Sequence, residues 1–281
     1  MSLPRTWPIQ DRQPFEVAFE RIKRANIHRT NMADAWNQFV KDDPYDALLQ
    51  VDDEGHGRLL VVPRNERLPL ELGFELGEAL YQLRAALDSC VYDAAIFETG
   101  KQPPPNGKNL EFPICESAAS FSNASWHIRP LPDDYHTFIE AMQPYKAPQL
   151  AAKLQGYNIN LNLGILNDWA RKDRHRSLHI ARSWASDRDP LFALPEGTLM
   201  TDLTVQPDGH LESESVVATF HLLGWRPGLN IHSNPNLHIE ISIDEPPAMR
   251  YPQDTLAART GQMIESVRLV VKKFEAIALG N

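Results

Sequence analysis

The densest group of chemically capable side chains lies in NDWARKDRHRSLHIA, Asn167 to Ala181, where four cations, two carboxylates and two histidines surround one Trp. Imidazole exchanges a proton near neutral pH, a guanidinium holds phosphate or carboxylate through paired N–H donors, and a carboxylate can orient either. A second group is Tyr81, Arg84, Asp88 and Tyr92, spaced three and four apart, with Arg84 and Asp88 at the (i, i+4) separation of an ion pair. The candidate site residues are therefore Arg84, Asp88, Asp173, His175 and Arg176.

Positioning them requires two helices. From Leu72 to Phe97, the residues Leu76, Leu80, Leu83, Leu87, Val91 and Ala94 share one arc of a helical wheel. Ala85, Ser89, Tyr92 and Ile96 form a weaker second arc, which predicts a central helix packed on two faces. On the later helix, Ile159, Leu163, Leu166, Trp169 and Ala170 make the apolar arc, and Asp173 falls inside it. A carboxylate in an apolar stripe calls for a cation. Arg84 is the expected partner, with Arg174 and Arg176 as local alternatives, while Arg171 and Lys172 belong to a solvated fringe. Cations gather where a helix C-terminus favours them, so the helix is expected to end near Arg174. Ser177 to Trp184 alternates as a strand would, which puts His175 at the junction.

The remaining elements follow from the same periodicities. Residues 13–40 carry apolar positions at helical spacing, and YDALLQVDDEGHGRLLVVPR reads as a hairpin around an acidic, Gly-containing turn. Pro103, Pro104 and Pro105 interrupt regular structure. Short helices are expected at Ala118 to Ala124 and Asp133 to Met142. TLMTDLTVQPDGHLESESVVATFHLL gives two strands around Asp208-Gly209, NLHIEISI gives another, and Thr255 to Leu279 a last helix. These elements predict an α+β fold, with several long helices packed on an antiparallel sheet of about five or six strands. No Gly/Ser linker or repeat divides the chain, so one domain over 1–281 is expected: helical mainly over 13–175, strand-rich over 177–245, with the C-terminal helix over 253–279.

Composition narrows the function classes. Hydrophobic residues make up 42% and charged residues 23% of the 281, the balance of a globule with a sizeable core. The net charge of −9 argues against coating nucleic acid or an anionic membrane. RNA contact through a local basic patch, an unknown small-molecule or protein partner, and homo-oligomerisation stay open. No apolar run approaches the roughly 20 residues of a membrane span, and the N-terminus lacks signal-peptide features, so a cytoplasmic protein is expected. Cys90 and Cys115 form no CxxC motif and read as buried thiols. No cofactor is implied: P-loop, GxGxxG and GxSxG motifs are absent, and Ser122, Ser125 and Ser183 have no nucleophile setting. The spacing of His221, His232 and His238 matches no ligand set.

The two helices also carry a resemblance. GEALYQLRAALDS at Gly77 to Ser89, FPI at Phe112 to Ile114, MQPY at Met142 to Tyr145 and NDWARKDRHR at Asn167 to Arg176 resemble an uncharacterised bacterial family. Its members read G-D-x-x-H-N-L-R-S-A-L-D-H, F-P-I, L-Q-P-Y and N-x-x-D-K-H-R. The likeness covers about two thirds of the chain; it departs at Tyr81 and Gln82, where the family has His and Asn, and at Ser89, where it has His. It implies a shared polar site and names no reaction.

Four readings of that site follow. In the first, Arg84, Asp88, Asp173, His175 and Arg176 line or brace a binding pocket. In the second, a metal-independent RNase of the HEPN type, Arg steadies the scissile phosphate while a His four to six residues on takes the 2′-hydroxyl proton. Ser89 stands in that His position after Arg84; Arg174 and His179 also fit the spacing. In the third, a metal-dependent hydrolase, His175 and His179 join Asp168, Asp173 or Glu78, although no HExxH motif is present. The fourth is purely structural: Arg84, Asp88 and Asp173 form a satisfied network fixing two helices, while His175 and the arginines cap a helix end.

Overall fold

The structure is a computed structural model. It describes residues 7–42, 44–64, 68–147, 158–175, 182–211, 214–242 and 256–280. Helices and antiparallel strands are both present in quantity, so the fold class is α+β as expected. The chain divides into two compact units, one of residues 1–32, 73–178 and 257–281, the other of residues 33–72 and 179–256.

The first unit is helical. Its backbone elements are α1 (Glu16–Lys41), which runs on into the second unit, α2 (Leu70–Thr99), α3 (Ala118–Ala124), α4 (Asp133–Ala141), α5 (Ile159–His175) and α6 (Leu256–Leu279). Helix α2 buries the predicted arc completely: Leu76, Leu80, Leu83, Leu87, Val91 and Ala94 are each at most 1% exposed. Each such Leu contributes roughly 1.5–3 kcal/mol relative to exposure, which makes α2 the axis of the unit. Phe274 of α6 gathers Tyr135, Phe138 and Phe112 around its ring at centroid distances of 5.3, 5.8 and 6.2 Å.

Helix α5 starts where its chemistry dictates. The side chain of Asn158 accepts the Leu161 N–H at 3.0 Å, an N-cap. Gly164 then lets the helix approach Pro144, since a Cβ there would sit 3.2 Å from the proline ring. The predicted apolar arc is buried at Leu163, Leu166, Trp169 and Ala170. The helix reaches His175, one residue past its expected end.

The second unit holds the strands. A four-stranded antiparallel sheet has the order β1-β2-β7-β5, with β1 (Tyr45–Val51), β2 (His56–Pro63), β5 (Leu199–Val205) and β7 (Ser215–Leu223). Smaller sheets pair β6 (Gly209–His210) and β9 (His238–Ser242) with β3 (Arg182–Ser186), and β4 (Leu191–Ala193) with β8 (His232–Asn234). The strand set is thus larger than the five or six expected and is split among three sheets. The short strands escaped the sequence reading because two or three residues cannot show a period of two. Leu59, Val61, Val217 and Ala218 form the buried centre, with Ala185 and Leu211 from outside that sheet.

Among the described residues, no helix is long and apolar enough to cross a membrane.

Candidate functional site

Helix α2 presents a stripe next to its buried arc: Gly77, Tyr81, Arg84, Ala85 and Asp88, one turn above another, all facing a cavity of about 500 Å³. Asn167, Ala170, Asp173 and Arg174 of α5 form a second wall, the segment from Glu111 to Cys115 a third, and Arg21 of α1 and Ala124 of α3 complete the lining. Tyr81, Arg84 and Asp88 of one sequence group and Asn167, Asp173 and Arg174 of the other therefore meet in one cleft within the helical unit, whereas Tyr92 is not part of its lining.

Their connection differs from the expected one. Arg84 does not pair with Asp173. Its Nη1 and Nη2 both donate to the Phe112 carbonyl at 3.3 Å, and Nη2 lies 3.4 Å from Asp88 Oδ1. The same Oδ1 accepts the Phe112 N–H at 3.0 Å. One Arg and one Asp, a helical turn apart, thus satisfy both polar groups of the Phe112 backbone, as a neighbouring β-strand would. Pro113 follows and has no N–H to satisfy. On its other side the segment is held by Gln143, which is fully buried. Its Oε1 accepts the Cys115 N–H at 2.8 Å, and its Nε2 donates to the carbonyls of Pro113 and Ile139 at 2.8 and 2.9 Å. Asn160 in turn donates to the Gln143 carbonyl at 2.9 Å. The L-R-x-A-L-D, F-P-I and Q-P-Y segments are thus parts of one hydrogen-bonded clamp.

Asp173 has a different neighbour. A Cβ on Gly77 would lie 2.6 Å from its Oδ2, so the carboxylate occupies the space that the glycine leaves open. Its placement within the apolar arc agrees with the wheel, and it is half-buried. Arg176 and His179, and the side chain of His175, lie outside the described residues. Of the five candidates, Arg84, Asp88 and Asp173 are placed together in the cleft.

Charge around the cleft is unevenly matched. Asp88 faces Arg84, and Glu111 lies 3.1 Å from His127 Nε2. Arg21 donates to the Gln82 side chain at 3.1 Å, and its Nε is buried with no hydrogen bond. Among the described residues, Arg174 donates only to the Ala170 carbonyl, at 3.3 Å. Arg21 was missed in sequence because nothing in α1 marks it; the signal was only its basic side chain on a helix of mixed charge. Cys115 also lines the cleft, and burial, with Glu116 and Glu111 adding to it, pushes its thiol above the ordinary cysteine range. The hydroxyl of Ser89, five residues after Arg84, donates to the Ala85 carbonyl at 2.7 Å.

Another cavity, of about 660 Å³, lies on the four-stranded sheet of the second unit. His56 and His221 stack there with ring centroids 4.8 Å apart. Each is tied to the β1-β2 turn: His56 Nδ1 lies 3.3 Å from Asp52, and His221 Nε2 is 3.2 Å from the Glu54 carbonyl. Asp52 accepts the backbone N–H of His56, which holds its carboxyl below the usual range. Among the described residues, no group of three or more His, Cys, Asp or Glu could hold a metal ion.

The chain matches no family model, no curated protein and no solved structure.

Proposed function

We propose that this chain is a binding protein whose helical unit holds a small polar molecule in the cleft along α2. The observation that supports it is a division of labour among the charges of one cavity. Arg84 and Asp88 hold the Phe112 backbone and so give the cleft its wall, while Arg21 and Arg174 line the same space with no carboxylate partner among the described residues. Guanidiniums that face a cavity of about 500 Å³ with no carboxylate partner among the described residues suit a ligand that accepts hydrogen bonds. An RNase of the HEPN type is not proposed at Arg84, because the position that should carry the base holds Ser89, bonded back to its own helix. A cytoplasmic setting is part of the proposal: Cys90 and Cys115 are both free thiols, as a reducing compartment keeps them.

The test plugs the cleft. Ala85 lines it and is half-buried, so Ala85→Phe fills space without entering the core. In a thermal-shift screen of polar metabolites, at least one compound should raise the melting temperature of the wild type and leave Ala85→Phe unmoved. Equal shifts in both proteins, or none in the wild type, would remove the proposal.

A further inference from the structure

Building on the cleft reading above, we infer that the ligand is a phosphate monoester of a small ring-bearing molecule, its phosphate held by Arg21 and Arg174. The inference begins with the charges that face the cavity. Its carboxylates are Asp88, Glu111 and Asp173, and its guanidiniums are Arg21, Arg84 and Arg174. Asp88 is bound to Arg84 and to the Phe112 N–H, and Glu111 lies against His127. Asp173 packs into the space over Gly77 and has a partner of its own. Arg84 has both terminal nitrogens on the Phe112 carbonyl. Arg21 and Arg174 are the two lining guanidiniums that have no carboxylate within ion-pair distance among the described residues.

Two unmatched guanidiniums call for a dianion. A phosphate monoester carries about −1.5 to −2 at neutral pH and offers three acceptor oxygens, whereas a monocarboxylate balances only one of the two cations. The overall charge of −9 does not oppose this, because charges more than about 8 Å away are largely screened at physiological salt.

Size and apolar surface supply the rest of the ligand. A bare phosphate would fill only a small part of the 500 Å³, so the cavity has room for an organic remainder. Tyr81, a residue 56% exposed, lines the cleft, and its ring offers a face for a planar group. Asn167, on the opposite wall, adds an amide with no hydrogen bond to any described residue.

The experiment is calorimetric titration of the full chain with AMP, adenosine, inorganic phosphate and succinate. AMP should bind, inorganic phosphate should compete with it, and adenosine should bind at least about tenfold more weakly. Arg21→Gln and Arg174→Gln should each raise the AMP dissociation constant about tenfold or more, whereas Arg171→Gln, exposed and paired with Asp168, should not change it. Arg174 is exposed, so Arg174→Gln carries the test even if Arg21→Gln fails to fold. Four outcomes overturn the inference: adenosine binding as tightly as AMP; succinate binding more tightly than AMP; an unchanged AMP constant in folded Arg174→Gln; or no binding of AMP, UMP, glucose 6-phosphate or phenyl phosphate below about 1 mM. The cleft reading falls separately, through the Ala85→Phe comparison: a non-phosphate ligand that this plug excludes would preserve the binding site while ending the phosphate assignment.

Discussion

Helix α2 carries two aspartates five residues apart that do opposite things. Asp93 is 1% exposed and takes Arg12 in both directions, Nη1 to Oδ2 at 2.7 Å and Nη2 to Oδ1 at 2.6 Å. It also accepts the N–H of Phe15, a fully buried residue held at the left-handed φ of 63°. Every strong valence there is used, and the hydrogen bond to Asp93 raises the Arg12 guanidinium further above its already high range. At Asp88 the same residue types meet at 3.4 Å, the carboxylate side chain is 38% exposed, and the partner arginine is shared with a backbone carbonyl. A saturated, sealed pair fixes a chain segment. A loose pair beside unmatched arginines frames a cavity. The residue types are alike at the two places although the spacing is not, four residues for Arg84 and Asp88 against 81 for Arg12 and Asp93; saturation and access distinguish a sealed brace from a cavity wall.

The contrast can be broken most sharply at Asp93. Asp93→Ala should cost roughly 3–5 kcal/mol in urea denaturation, because it leaves a charged guanidinium and a buried N–H unmatched. Asp88→Ala should cost only about 1 kcal/mol, since water can reach the groups it leaves behind. Equal losses at the two positions would erase the distinction. Between them lies Gln143→Ala, expected to cost about 2–3 kcal/mol by stranding the Cys115 N–H and the Pro113 carbonyl.

Two smaller effects sharpen the picture. Asp88→Ala should speed amide hydrogen exchange at Phe112 several-fold while exchange around Phe15 stays unchanged; the reverse would place the clamp elsewhere. The raised thiol of Cys115 should react slowly with iodoacetamide at neutral pH, gain rate as pH rises, and gain it earlier in Glu111→Gln, which removes one of the charges that raise it. Indifference to that substitution would leave burial and Glu116 as the causes of the raised thiol.

Long-period features were legible in the sequence. Helices α1, α2 and α6 and the β1-β2 hairpin follow from repeats of apolar residues over many positions, where chance agreement is small. The wheel also placed Asp173 correctly on the inward side of α5. What escaped were contacts between distant segments. Nothing local says that Arg84 would reach Phe112 rather than Asp173, because a guanidinium can donate to a backbone carbonyl as well as to a carboxylate and the choice depends on which acceptor the fold brings within reach. Arg12 and Asp93 lie 81 residues apart, and neither stands out among its neighbours.

The sequence by itself determined the α+β class, the two helices that frame the cleft and the residue types available to it, because periodicity and propensity act over short stretches of chain. Tertiary structure decided the rest: that F-P-I is gripped between Arg84, Asp88 and Gln143, and that Arg21 joins Arg174 in one cavity. It decided, too, which charges are matched and which are left open. Pairing depends on positions in three dimensions that are set by burying apolar surface, a force without direction that brings polar groups together as a consequence rather than by their own recognition.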